Sequence, residues 1–167
     1  SDVSLSSDQA ITDASASETA NISASDLSLS AATGISGLNT KVDSLSIVNT
    51  SGNVVIDEAD GVTLHSIATD ASSGVVDLMV GGDVVAGTGT THIKADALTM
   101  TVAGQLGTTT QALATDIDTL TLSSTAAAGL GDLFLSNTGD LGVISVSTLS
   151  DVSLSSDQAI TDASASE

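Results

Sequence analysis

The chain has 167 residues, enough for one domain with a core of its own. Its formal net charge is −19, from 21 acidic residues against Lys41 and Lys94 alone. That balance excludes nucleic-acid binding by clustered Lys and Arg, and an anionic membrane would repel the chain.

Strong acidity often accompanies disorder, but here mean hydropathy is +0.36 and the apolar residues are regularly spaced. There is no Cys, Pro, Trp or Tyr, and Phe134 is the one aromatic residue. Disulfides and Cys-based metal sites are therefore excluded. No run approaches 18 consecutive apolar residues, and no basic segment leads into an apolar one, so an export signal or anchor is expected outside these residues.

In chain order, the first segment is the most informative. Residues 1–18 read SDVSLSSDQAITDASASE, and residues 150–167 repeat them letter for letter. An 18-residue identity inside a short chain does not arise by chance. The sequence is expected to hold one tandem repeat over 1–149, with 150–167 forming the first coil of the next.

The chain is built from short apolar–polar–apolar steps, each introduced by Asp. They are Asp2–Val3–Ser4–Leu5, Asp26–Leu27–Ser28–Leu29, Asp43–Ser44–Leu45–Ser46–Ile47, Asp60–Gly61–Val62–Thr63–Leu64, Asp96–Ala97–Leu98–Thr99–Met100 and Asp118–Thr119–Leu120–Thr121–Leu122. Period 2 is the mark of a strand with one buried face. Ser, Thr, Val, Ile, Asp and Gly disfavour helix, and Asp suits turns because its carboxylate bonds nearby backbone amides. Gly52–Asn53, Asp60–Gly61, Gly81–Gly82–Asp83 and Gly139–Asp140 mark further turns.

The steps recur at a near-regular interval, from Leu27 to Leu45 to Val62, and at a slightly longer one from Leu98 to Leu120. A β-sandwich also has short strands and frequent turns. Thin aliphatic residues alternating throughout with Ser and Thr suit a solenoid better, with coils of roughly 20 residues, each burying only its own inward row. The expected fold is an all-β, right-handed parallel β-helix (β-solenoid), with roughly seven to eight coils in the 149-residue repeat.

A fainter internal repeat divides the unit into halves, about 1–74 and 75–149. Leu27 and Leu29 match Leu98 and Met100, Leu45 and Ile47 match Leu120 and Leu122, and Gly52–Asn53–Val54–Val55–Ile56 matches Gly131–Asp132–Leu133–Phe134–Leu135. The offset between partners widens from the first of these matches to the last, as expected for insertions at the corners.

The run SDLSLSAATGIS…VDSLSIVNTSGNVVIDEADGVTL, preceded by QAITDASASETANISA, resembles the repeats of large bacterial surface proteins of the filamentous haemagglutinin type. The resemblance covers most of the chain and is strongest from Gln9 to Leu64. It implies a right-handed parallel β-helix, exported to the cell surface, serving as an adhesin or extended fibre.

Catalysis is not expected. His65 and His92 lie in separate strand-like segments, and His65 is read as solvent-facing. No nucleophile elbow or HExxH motif occurs, and carbohydrate-cleaving β-helices need clustered carboxylates or Asp with Arg or Lys. Neither catalytic nor cofactor-binding residues are identified. Calcium is the one cofactor considered. Asp57, Glu58 and Asp60 form the densest acidic cluster and are its candidate ligands, set against the simpler reading of a solvated turn. Gly81–Gly82–Asp83–Val84 opens the calcium-binding nonapeptide pattern and then departs from it at Val84. Thr63, Thr99, Thr101, Thr119 and Thr121 raise an ice-binding ladder, which is disfavoured because Ser, Asp and Gly interrupt it. Phe134 is expected to face outward or fill a corner.

The function expected is a stiff, acidic, non-enzymatic extracellular module of a fibre or adhesin stalk. Its partners would be identical neighbours stacked through residues 1–18 and 150–167. The alternative is a calcium-dependent or glycan-binding adhesive module.

Overall fold

The structure is a computed structural model, and it describes residues 1–15 and 19–164. The last three residues of each 18-residue copy therefore lie outside the described residues. Alternation of Val, Leu and Ile with Ser, Thr and Asp gives strands almost throughout, and no helix occurs among the described residues. Every strand pairing is parallel. Parallel neighbours cannot be joined by hairpins. The chain instead winds round a narrow core and meets itself one coil later. The protein is a parallel β-solenoid of about seven turns.

Two ladders of strands carry the stack. The first holds β1 (Asp2–Ser7), the end of β3 (Ile22–Ala31), the end of β4 (Ile35–Asn49), β6 (Val62–Ala68), β8 (Val84–Ala86) with β9 (Ile93–Lys94), β11 (Leu113–Asp116), β13 (Leu133–Asn137) and β15 (Val152–Ser156). The second holds β2 (Ile11–Thr12), the start of β4, β5 (Val54–Glu58), β7 (Val75–Val80), β10 (Ala97–Val102), β12 (Thr119–Ser124), β14 (Leu141–Ser147) and β16 (Ile160–Asp162). β4, at 15 residues, belongs to both ladders because it bends round a corner.

Residues at the same phase stack into apolar columns. Leu27, Leu45 and Leu64 are consecutive rungs of the first ladder. Val54, Val76, Leu98 and Leu120 are consecutive rungs of the second, evenly spaced along the chain. These side chains are at most 1% exposed. The core is one aliphatic strip, and Phe134 lies outside it, between the inward Leu133 and Leu135.

Corners decide where each coil turns. Gly52 has φ +77°, and a Cβ there would sit 2.8 Å from the Thr33 carbonyl oxygen. A side chain at that position meets both strain and collision.

The stack also explains the internal repeat. Leu27 lies on the first ladder and its match Leu98 on the second; Leu45 and Leu120, and Val54 and Leu133, divide likewise. The half-unit is three and a half turns, so similar sequences occupy opposite faces. The full repeat is seven turns, from β1 to β15 and from β2 to β16.

Candidate functional site

Two places stand out from the repeating aliphatic strip: the polar groups buried at the corners, and the end coils.

Glu58 follows Val54 and Ile56 in the inward phase of β5, and it is fully buried. Thr40 Oγ1 donates to its Oε2 at 2.6 Å. The Val42 amide donates to Oε1 at 3.1 Å, and the Asp60 amide lies 3.4 Å from the same oxygen. Burial raises its pKa above the usual carboxylate range, and the neighbouring Asp60 carboxyl pushes the same way; the hydroxyl and amide donors partly oppose them.

The other half of the chain builds the same bridge with an amide. Thr115 Oγ1 donates to Asn137 Oδ1 at 2.8 Å, and the Ile117 amide donates to it at 3.1 Å. Thr115, Ile117 and Asn137 are the counterparts of Thr40, Val42 and Glu58 in the internal repeat. Asn137 Nδ2 in turn donates to the carbonyls of Ile117 and Asp140, at 3.0 and 3.3 Å. A third corner uses Asn49, whose Oδ1 accepts from the Gly34 amide at 3.0 Å and whose Nδ2 donates to Thr69 Oγ1 at 3.0 Å. These bridges satisfy backbone groups where the strand ladder breaks.

Asp57 occupies the alternate, outward phase of β5 and is exposed. Asp60 sits in the following turn, with Lys41 Nζ 3.3 Å from its carboxylate. The calcium candidates thus divide: Glu58 and Asp60 adjoin, while Asp57 points the other way. Among the described residues, no group of three or more His, Asp or Glu side chains is arranged to hold a metal.

His65 is partly buried, not open to solvent as alternation alone predicts, and Thr88 bonds its Nδ1 through both its amide and hydroxyl, each at 3.3 Å. A register shift opposite Leu45 displaces the alternation there. His92 is 3% exposed. The Ala114 amide donates to its Nδ1 at 3.0 Å, which leaves the proton on Nε2 to donate to the Gly87 carbonyl at 3.1 Å. Nδ1 thus ties His92 to the next coil, while Nε2 closes the turn within its own coil. Of the threonines, Thr99 stands beside Thr121, and Thr101 Oγ1 lies 2.9 Å from Ser123 Oγ. Thr63 is on the other ladder.

The end coils carry the identical sequences. β1 covers β3 from Asp2↔Asp26 to Ser7↔Ala31, and β2 covers the start of β4. At the opposite end β15 lies on β13 and β16 on β14. Each end leaves apolar side chains open: Leu5 is 39% exposed, Val152 39% and Ile160 48%. Their counterparts inside the stack, such as Leu29 and Leu133, are at most 3% exposed.

Fold and ends together define a β-solenoid whose first and last described coils share one sequence. No family model, curated protein or solved structure matches this chain.

Proposed function

We propose that this chain is a structural module of an extracellular bacterial fibre or adhesin stalk, a stiff acidic rod that joins end to end with identical units. The observation that carries the reading is the return of the sequence of residues 1–15, as residues 150–164, to the same two ladders seven turns later. A sequence used at both ends suits a unit whose top continues into the bottom of its neighbour. Exposed parallel edges and open aliphatic rungs at both ends supply the driving force. A net charge of −19 opposes sideways association of the rods. The pattern shared with filamentous haemagglutinin-type repeats supports export to the bacterial surface.

The module is read as non-catalytic, since its buried polar groups are spent on one another and on backbone groups. With neighbouring strands about 4.8 Å apart, seven turns give about 34 Å of rod per repeat. Electron microscopy and fibre diffraction of concentrated protein test this. Unbranched filaments with a meridional repeat of about 4.8 Å are expected. Isolated particles at every concentration and salt would overturn it.

A further inference from the structure

The two copies of the 18-residue sequence use opposite edges. At the start of the chain, the segment bonds to the coil that follows it. Ser25 N donates to Ser1 O, Ala32 N to Gln9 O, Ile11 N to Gly34 O and Asp13 N to Ser36 O, all between 2.7 and 3.1 Å. Asn21 Nδ2 adds a bond to Asp13 Oδ1 at 3.3 Å.

At the far end, the same sequence bonds to the coil that precedes it. Leu133 N donates to Asp151 O, Asp157 N to Asn137 O, Leu141 N to Ala159 O and Ala163 N to Val143 O, between 2.8 and 3.2 Å. Side chains reinforce this edge. Ser150 Oγ accepts from Gly129 N and Gly131 N, and Asp157 Oδ1 accepts from Gly139 N at 2.6 Å.

The backbone groups used in these bonds do not overlap. The first copy uses residues 1, 9, 11 and 13. The second uses residues 151, 157, 159 and 163, which correspond to 2, 8, 10 and 14. One segment can therefore be bonded on both edges at once, as alternate residues of a parallel strand are. The free edge of residues 150–162 is the edge that, in the first copy, fits β3 and the start of β4.

Docking on the first copy itself is a poorer match. It would set Asp151 over Asp2, Asp157 over Asp8 and Asp162 over Asp13, three like-charged rungs. On β3 the one such rung in the observed register is Asp2 with Asp26, and there the Ser44 hydroxyl already donates to Asp26.

We propose that residues 150–162 of one chain dock on β3 and β4 of a second copy, in the place of that copy's own residues 1–13. The donor segment is then sandwiched between its own β13 and β14 and the acceptor's β3 and β4. The displaced segment gives up hydrogen bonds that the incoming one restores in kind. This rests on the end-to-end reading and specifies its joint as an exchange of identical coils.

The chain of residues 1–167, free of Cys, allows a direct test. Ser4 pairs with Ser28 on the exposed side of the sheet, and Ser153 is the counterpart of Ser4. Single variants S28C, S4C and S153C are prepared, mixed in pairs, warmed and cooled to permit exchange, and oxidised. A disulfide reaches only the adjacent rung, because it needs Cα atoms about 4.4–6.8 Å apart and strands lie about 4.8 Å apart. Exchange gives a dominant S28C–S153C heterodimer. Assemblies by sedimentation that link S4C to S153C, or link neither pair, overturn the exchange and leave simple end-to-end stacking standing. Monomers throughout, with no cross-link, overturn both.

Discussion

At Asn137 a single change of atom type removes two donors from a buried corner. The side chain is 3% exposed and makes four hydrogen bonds, accepting from Thr115 Oγ1 and the Ile117 amide and donating to the carbonyls of Ile117 and Asp140. Asn137→Asp keeps the shape and both acceptor roles but removes both donors. The Ile117 carbonyl, in a residue 2% exposed, is left facing a carboxylate oxygen. A stranded buried polar group costs about 1–3 kcal/mol. Desolvating an unpaired carboxylate adds to that, and stronger bonds from the two remaining donors return part of it. The net loss at pH 7 is about 2–4 kcal/mol. The new carboxyl holds its proton more tightly folded than unfolded. Its destabilisation is therefore complete above the folded pKa and shrinks as pH falls below it, when the protonated acid regains a donor. Urea unfolding followed by circular dichroism, for parent and variant at pH 7 and pH 4, measures both effects. A loss under about 1 kcal/mol at pH 7, or an equal loss at both pH values, would refute the bridge as described.

Two further predictions concern the same core. Glu58→Gln removes the raised carboxyl titration. Since the native state holds that proton more tightly, Glu58 favours folding most below its unfolded value of 4.5 and loses that advantage as pH rises through the folded value. The variant should therefore have a higher urea midpoint than the parent at pH 7, and the gap should close on acidification; a lower midpoint at pH 7 would contradict the burial argument. Leu120→Ala, in a fully buried rung, should cost about 2–5 kcal/mol, while Leu130→Ala, 72% exposed, should change stability by no more than about 0.5 kcal/mol in the same assay.

Period-2 alternation made the strands readable, and with them the apolar columns through Leu27, Leu45, Leu98 and Leu120, because a solenoid buries one side of each strand. The same alternation, carried one step past Ile56 and past Leu135, points Glu58 and Asn137 inward. Their chemistry disguises this, since an acidic residue near Asp57 and Asp60 reads as a surface turn. His92 offers no such signal. It sits at a corner, where its burial depends on Gly87 and Ala114 and on no local pattern. The half-repeat was visible in residue matches, but matches along a chain measure length and not turns. Only the coil-by-coil register shows that half a period carries Leu27's counterpart to the other side of the stack.

A whole number of turns between identical segments has a geometric consequence. Any rod extended by further full periods presents each side chain again on the same ladder, one period farther along. Whatever decorates one ladder would recur in file along the rod, at intervals of about 34 Å, modified only by the gradual twist of the sheet. Extension by a half-period would instead turn the sequence over and exchange the ladder carrying Glu58 for the ladder carrying Asn137. The length of the repeat thus sets which side of such a stack each feature would face, as well as how far apart successive copies would stand.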